Sequence, residues 1–540
     1  MTPATLRYSI AIVAALGLAG PALAAPAAPQ EGVLPAVHSS AAPLVHVDLS
    51  GMLRLRGQTI RNGSLGDHTQ GRLSGLPASL AVRDGNQSVG DGADALGVSD
   101  LRLRLEPVLR LASRAAIHSQ IDVAGAMVLG SDPRVEADPI MERLVWQSGN
   151  GPARDSLAIR RLWATFDVFG VGEIQVGRMP DHFGMGLLRN DGRDAIADFQ
   201  SDVDRVGVQV EAFDLRLSIY RDNMASGPMV PVGLAADAPA YPMQDSADVL
   251  RWVFELYGGT FQPDAAGLAW GIALLYQDQE VALASEHDPD PSAALQGDCL
   301  QTGACTALVP REASMVWPQA WLRYKAKTPL GAIHAEIEGA LLFATFENTD
   351  VLAATDTGKT VIGGGVATRL RLDQGNNGWG LDAGFASGES EGGFGIFDQD
   401  NFRDLAAPDQ PHRDLLTGFR YHRGFLVDGL LFREVIGAVA NSWYVRPAWR
   451  RRLLDHGQWG RLDLNLGVLG AVAASTGATP GKALLLGIEP ECGLQLSSEG
   501  ASTARLDFSW LAPGAAFDDG DGGPAAPQAW RLSAQWILRF

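Results

Sequence analysis

The chain has 540 residues, with 62 Asp+Glu against 43 Lys+Arg and a formal net charge of −19. Hydrophobic residues make up 46%, charged residues only 19%, and Gly fills 63 positions, which excludes a disordered chain and argues against a helical bundle. The acid excess excludes a non-specific nucleic-acid binder, which needs a basic face, and three cysteines are too few for a disulfide scaffold. Length alone suggests three or four domains.

Residues 1–24 carry Arg7, a short apolar core from Ile10 to Gly20, and a break at Pro21 before small residues. This reads as a secretory signal cleaved after Ala24, its core short for the ~20 residues of a membrane-spanning helix. No Cys follows, so no lipid anchor is expected, and the Ala- and Pro-rich stretch 25–43 reads as a flexible periplasmic leader. From Val45 the pattern changes. In VHVDLSGMLRLRG, Val45, Val47, Leu49, Leu53 and Leu55 alternate with His46, Asp48, Ser50, Arg54 and Arg56. In DLRLRLEPVLRLA, Leu101, Leu103, Leu105, Leu109 and Leu111 alternate with Arg102, Arg104, Glu106 and Arg110. Period 2 sustained over ten or more residues exceeds the usual five or six of a soluble strand and suits a tilted strand crossing a bilayer.

The alternation continues along the chain, punctuated by tight links at 112–115, 169–172, 328–331, 373–378, 454–460 and 497–501. Between them lie long links at about 58–97, 130–156, 181–201, 222–246, 281–312, 388–440 and 512–528. Short periplasmic turns and long extracellular loops are the asymmetry of a membrane barrel. The expected fold is all-β: one transmembrane antiparallel up-and-down barrel over 44–540, with about 18 strands and 16 or 20 left open. The segment 413–442 is an extra hairpin or an extracellular helix; the spacing of Val427, Leu430, Leu431, Val435 and Val439 favours the helix. Aromatics such as Trp252, Tyr257, Tyr276, Trp317, Trp321 and Trp443 mark strand ends and suggest interfacial girdles.

The last segment, AWRLSAQWILRF, places Trp530, Leu532, Ala534, Trp536, Leu538 and Phe540 on one face. Arg531, Ser533, Gln535 and Arg539 take the other, with Ile537 the exception. An edge strand of a soluble sandwich would alternate likewise. With a secretory signal at the other end, the segment instead resembles the C-terminal aromatic signal by which the barrel assembly machinery recognises its clients.

The hairpin LAIRRLWATFDVFGVGEIQVGRMPDHFGMGLLRNDG (157–192) has an Arg-aromatic strand end, a short turn, a strand closing in Val-Gly-Arg, and a Gly-rich polar loop. It resembles the alginate-export and related porin-like barrels of Gram-negative outer membranes. Together with VDGLLFREVIGAVANSWYVRPAWRRRL (427–453), it resembles an uncharacterised family of large outer-membrane barrels known mainly from myxobacteria. The resemblance implies barrel architecture and names no solute.

Chemistry must come from the inward face. The period-2 phase turns Arg54, Arg56, Arg102, Arg104, Arg110, Arg161, Arg178, Arg205, Arg369 and Arg371 inward, against fewer acids such as Asp122, Asp167 and Asp382. Much of the negative charge then sits in loops. Guanidiniums stay charged when partly buried, and a constricted low-dielectric lumen focuses their field on anions. Arg161, Arg178 and Arg205 are expected near the constriction; the competing reading is that these arginines pair with facing acids and stiffen the wall. The Gly-rich loop DHFGMGLLRNDGRD (181–194), with Asp181, His182, Asp191 and Asp194, reads as a constriction folded into the lumen rather than an acid–base pair.

Cys299 and Cys305 stand close enough in sequence to close a small disulfide in an oxidising exterior. Cys492 reads as an unpaired thiol. The acidic stretches 397–401 and 517–523 lack the spacing of a defined cation loop, and no metal or cofactor is called for. Expected partners are outer-membrane lipid and lipopolysaccharide, the assembly machinery and small solutes. The leading function is a passive channel or export porin. A structural anchor binding envelope polymer through its loops is the alternative, and a barrel enzyme is disfavoured because no GxSxG segment is present.

Overall fold

The two faces of the first strand set the architecture: Val45, Val47 and Leu49 are exposed, while Met52, Arg54, Arg56, Gln58 and Ile60 are buried. A sheet with one apolar, outward face and one buried, partly charged face has to close around its charges. The computed structural model describes residues 45–63, 65, 83–84, 87–88, 95–111, 114–128, 157–168, 170–225, 229–231, 240–242, 248–260, 265–283, 308–346, 359–389, 415–456, 460–498, 501–518 and 525–540. The proposed signal, the leader, Cys299, Cys305, the motif 397–401 and most of 517–523 lie outside them.

Eighteen antiparallel strands form one closed barrel. In chain order they are β1 (Val45–Arg61), β2 (Ala95–Leu111), β3 (Ala115–Val128), β4 (Ala158–Val168), β5 (Gly172–Pro180) and β6 (Asp202–Ala212). Next come β7 (Leu215–Ala225), β8 (Val249–Gly259), β9 (Gly267–Leu283), β10 (Leu308–Thr328), β11 (Gly331–Phe346) and β12 (Lys359–Gln374). The last six are β13 (Asn377–Ala386), β14 (Ser442–Asp455), β15 (Arg461–Ala473), β16 (Leu485–Ser497), β17 (Ser502–Pro513) and β18 (Ala529–Arg539). Length therefore went into one sheet rather than several domains.

Closure is made by β1, which pairs with β2 from Val45↔Leu111 to Arg61↔Ala95 and with β18 from Met52↔Arg539 to Arg61↔Trp530. Gly51 and Phe540 exchange both backbone hydrogen bonds, at 2.9 and 3.1 Å. A Cβ at Gly51 would stand 2.5 Å from the Arg104 carbonyl and 2.7 Å from the Phe540 ring, so the seam requires glycine there. In β18, Trp530, Leu532, Ala534, Trp536 and Leu538 lie on the less buried, outward phase. Ile537 breaks the pattern for a reason: it is 3% exposed and packs inside on Met52 and Ala195.

Links alternate between short and long, and two short ones escape the sequence reading. The 213–214 turn has Phe213 and Asp214 both in the left-handed region, φ 53° and 58°. This is the conformation for which Asn-Gly is the usual signature, and Phe-Asp hides it. The second, 260–266, joins β8 to β9. Strand lengths are uneven: β4 to β8 have 9 to 11 residues, whereas β9 to β12 have 16 to 21.

The segment 415–441 is neither a hairpin nor an extracellular helix. Its ordered helical part is one π-turn, Leu431–Val435, with Val435 N–H donating to Leu430 and Ile436 N–H to Leu431. The apolar spacing that suggested a helix is real, but its target is the inside of the barrel: Leu430, Leu431 and Ile436 pack with inward-facing Ala367, Leu469 and Leu511. Gly429 and Gly437, the latter at φ 88°, interrupt helix on both sides. Part of the expected girdle is also internal: Tyr257, Trp317 and Trp321 pack against the buried Phe183–Val253–Leu275 cluster, whereas Trp252, Tyr276 and Trp443 are exposed on the outside.

Candidate functional site

Loop 181–201 leaves β5, crosses the interior and returns to β6. Left-handed glycines at 184, 186 and 192 let it turn tightly, and Asp181 N–H to Ser201 and Ser201 N–H to Asn190 zip its stem. Phe183 and Leu187 are fully buried. The tip reaches β11, where the Glu338 carboxylate accepts the N–H groups of Met185 (2.5 Å) and Leu187 (3.4 Å). Loop 181–201 meets segment 415–441 directly, His422 N–H donating to the Leu187 carbonyl at 2.7 Å. The loop thus lies folded into the barrel interior, as its composition suggested.

Arginines of the wall hold it there. Asp198 accepts from Arg54 and Arg56, both at 2.8 Å, and from Arg433 at 3.2 Å; Asp100 accepts from Arg54 and Arg56 as well. Arg102 donates to the Ala197 carbonyl, and Arg104 to Asp122 and Gln200. Arg161 donates to Asp202, Gln120 and the Asp191 carbonyl. Asp181 accepts from Arg205 (2.9 Å) and Arg251 (2.7 Å), which also share Asp222. Arg189, on the loop, pairs with Glu255. Burial opposes ionisation of Asp181, but the guanidiniums of Arg189, Arg251 and Arg205 override it and hold the carboxyl well below the usual carboxylate range. Asp198 is likewise buried, and Arg56, Arg54 and Arg433 hold it far below that range. Removing one partner of such a buried pair typically costs about 3–5 kcal/mol.

The expected arginines therefore divide. Arg54, Arg56, Arg102, Arg104, Arg161 and Arg205 are on the buried face, tied to acids, amides and carbonyls. Arg369 and Arg371 converge with Arg446 on Asp382 of β13. Arg110 pairs with Asp48 near the turn end. Arg178 is not inward: it shares the outer face with exposed Ile174 and Val176, two and four residues before it, and bonds Asp204 twice at 2.7 Å. The alternation of those apolar neighbours assigns it outward, and its charge alone suggested the lumen. Asp167 also serves a turn, accepting from Gly170 N–H. His182 lies 3.4 Å from Asp191, whose carboxylate is already bridged by Arg193. Cys492 is exposed on the outer face.

A cavity of about 400 Å³ remains between this loop, the strand 415–416 region and the inner faces of β8 to β12. Leu275, Met315, Trp317 and Phe419 give it apolar walls, and Arg189, Arg251, Arg420 and Gln319 are its polar groups. Arg420 forms no ion pair among the described residues, and burial alone lowers its pKa. Gln319 is 4% exposed, and neither end of its amide has a partner among the described residues. Burial, then the charges of Arg420 and Arg423, push the adjacent His422 down to about 4, so it is neutral and its Nδ1 accepts from Gly424 N–H. Arg189, Arg251, Arg420 and Glu338 escaped the sequence reading. Two sit in loops without periodicity, and the other two share the inner face of their strands with further charged residues, Glu255 beside Arg251 and Glu336 beside Glu338.

No family model matches the chain, and no curated protein does, so the resemblance to alginate-export and myxobacterial barrels rests on its motifs alone. Solved structures do match. The outer membrane protein opdK from Pseudomonas aeruginosa is 12% identical with a TM-score of 0.43, covering 91% of this chain and 99% of that one. A BenF-like porin from Pseudomonas fluorescens Pf-5 is 12% identical with a TM-score of 0.44, again over 91% and 99%. OccK8 (OprE) from Pseudomonas aeruginosa is 11% identical at 0.45, over 91% and 98%. At such identity and superposition, nothing about solute or selectivity passes from those proteins to this chain.

Proposed function

We propose that this protein is an outer-membrane channel for passive passage of small solutes, with a preference for anions. The observation that carries this reading is the lining of the internal cavity. A guanidinium without an acid partner among the described residues, Arg420, stands beside a neutral His422 and a Gln319 amide likewise unpartnered there, among apolar walls. Walls of low dielectric leave such a charge poorly screened, so it raises the local concentration of anions and of solutes with an apolar body. The exposed apolar outer wall, with Trp252, Tyr276 and Trp443 on it, supports a membrane location. Export by the signal at 1–24 and recognition of the strand ending at Phe540 by the assembly machinery belong to the same proposal, as does a disulfide between Cys299 and Cys305.

Reconstitution in planar bilayers under a salt gradient tests it. The expected result is a steady conductance whose reversal potential reports anion preference, reduced by millimolar small organic anions. Cation selectivity would overturn the anion reading, and absence of any conductance would overturn the channel.

A further inference from the structure

Carboxyl groups gather where segment 415–441 meets the far wall, away from the cavity. Glu489 of β16 accepts the N–H groups of Gly429 (3.1 Å) and Leu431 (2.8 Å), and Glu491 accepts Gly429 N–H at 2.8 Å. Asp428 accepts Phe432 N–H (2.6 Å) and Arg433 N–H (3.2 Å), bracing the π-turn from its start. One N–H group shared between two carboxyls brings Glu489 and Glu491 together, and Asp428, the residue before that N–H group, holds the next turn of the same backbone.

The cations nearby are committed elsewhere. Arg446 of β14 bonds Glu491 and Asp382. Arg531 of β18 donates to the Gly429 carbonyl and stands 3.5 Å from Glu434, as does Arg433. Tyr444 of β14 and Ser509 of β17 complete the surroundings; a Cβ at Gly429 would overlap the Ser509 hydroxyl, so the backbone lies directly on the wall. No described guanidinium bridges Asp428 or Glu489. Both are buried, Glu489 completely.

We propose that Asp428 is held protonated beside Glu489 and Glu491 in the docked form and so makes 428–435 a latch on the barrel wall, weakened when that proton leaves. With the proton present, the carboxyl is satisfied by the Phe432 and Arg433 N–H groups at no cost in buried charge. Without it, a buried charge faces the Glu489 and Glu491 carboxyls with no guanidinium on it among the described residues, which low-dielectric surroundings penalise heavily. Burial, then the charge of Glu491, pushes the Asp428 carboxyl up to about 7 against the pull of Phe432 N–H, Glu489 and Arg446. In the undocked segment an ordinary aspartate titrates near about 4. Docking therefore takes up a proton between those two values. Through Asp428, the docked form is most favoured below about pH 4 and loses up to about tenfold per pH unit above that.

Amide hydrogen exchange on the full chain in lipid nanodiscs reads this directly. After correction for intrinsic exchange, protection at Leu431, Phe432 and Arg433 is expected to fall as pH rises from about 4. In Asp428→Asn, whose neutral amide keeps an acceptor and gains a donor toward Glu489, protection at Leu431 and Phe432 is expected to fall less steeply. A flat wild-type profile, or an unchanged slope in Asp428→Asn, would overturn the latch. Should Asp428→Asn fail to assemble, Glu489→Gln and the wild-type profile decide in the same way. Single-channel conductance rising over the same range is expected only if the channel reading also holds. A slope in exchange without conductance keeps the latch and removes the channel.

Discussion

The Arg205 guanidinium, on the wall, and the Asp181 carboxylate, at the root of the inward loop, meet at 2.9 Å, with Arg251 on the same carboxylate at 2.7 Å. One acid thus gathers two wall arginines and lies near a third, Arg189 of the loop, at 3.7 Å. Asp181→Asn leaves these guanidiniums one carboxylate short. The expected outcome is a looser constriction, about 3–5 kcal/mol less firmly held, with higher conductance and stronger anion preference in bilayers.

Arg420 faces the cavity without an acid. Arg420→Glu replaces an unopposed positive charge with a negative one, two units of difference at the same height in the lumen. Its reversal potential is expected to move toward cations, with the apparent affinity of small organic anions reduced at least tenfold. Arg420→Gln should fall between the two.

The constriction should resist acid. The depressed pKa values of Asp181 and Asp198 mean that their ion pairs are fully present above ordinary carboxylate pKa values and are lost only as pH falls through their own far lower ones. Protection of the Ser201 amide, whose bond to Asn190 zips the loop, is expected to be the same at pH 7 and pH 4 after intrinsic correction.

Arg178 offers the contrasting case. Its partnership with Asp204 lies on the outer face, away from the lumen, with both side chains about half exposed. Arg178→Ala is expected to leave reversal potential and conductance unchanged and to shift the unfolding midpoint in denaturant only slightly.

Gly51 sits at the seam. Gly51→Val places a branched side chain against the Arg104 carbonyl and the Phe540 ring. The expected result is a sharp fall in the heat-modifiable, compact band on a semi-native gel after refolding into detergent. The conservative change Leu53→Val, on the outward phase of the same strand, should refold normally.

What the sequence could reveal depended on whether neighbouring residues repeat the message. About eighteen strands were legible, with 16 or 20 left open, because strands such as β1 carry several outward apolar positions in phase, as Val45, Val47 and Leu49 do. The reading failed at Arg178, where charge was followed against the phase of Ile174 and Val176, and at 213–214, where Phe-Asp adopts a turn that composition does not announce. The constriction loop was legible in outline from its glycines and acids. Its anchors were not, because Arg54, Asp198 and Glu338 come from positions far apart in the chain, and no local pattern states which acid an arginine will meet. Segment 415–441 misled for a related reason: burial against a curved wall spaces apolar residues much as a helix does.

The seam also sets an order of events. Gln58 and Arg531, bonded across it, are 473 residues apart in the chain. β1 carries Arg54 and Arg56, which hold Asp198, while β18 carries Arg531, which holds Gly429. Neither inward segment has its full set of anchors until the first and last strands meet. Contacts of such long separation form late, since the chain between must first be brought together. Seating of the inward segments is therefore tied to closure of the barrel around them.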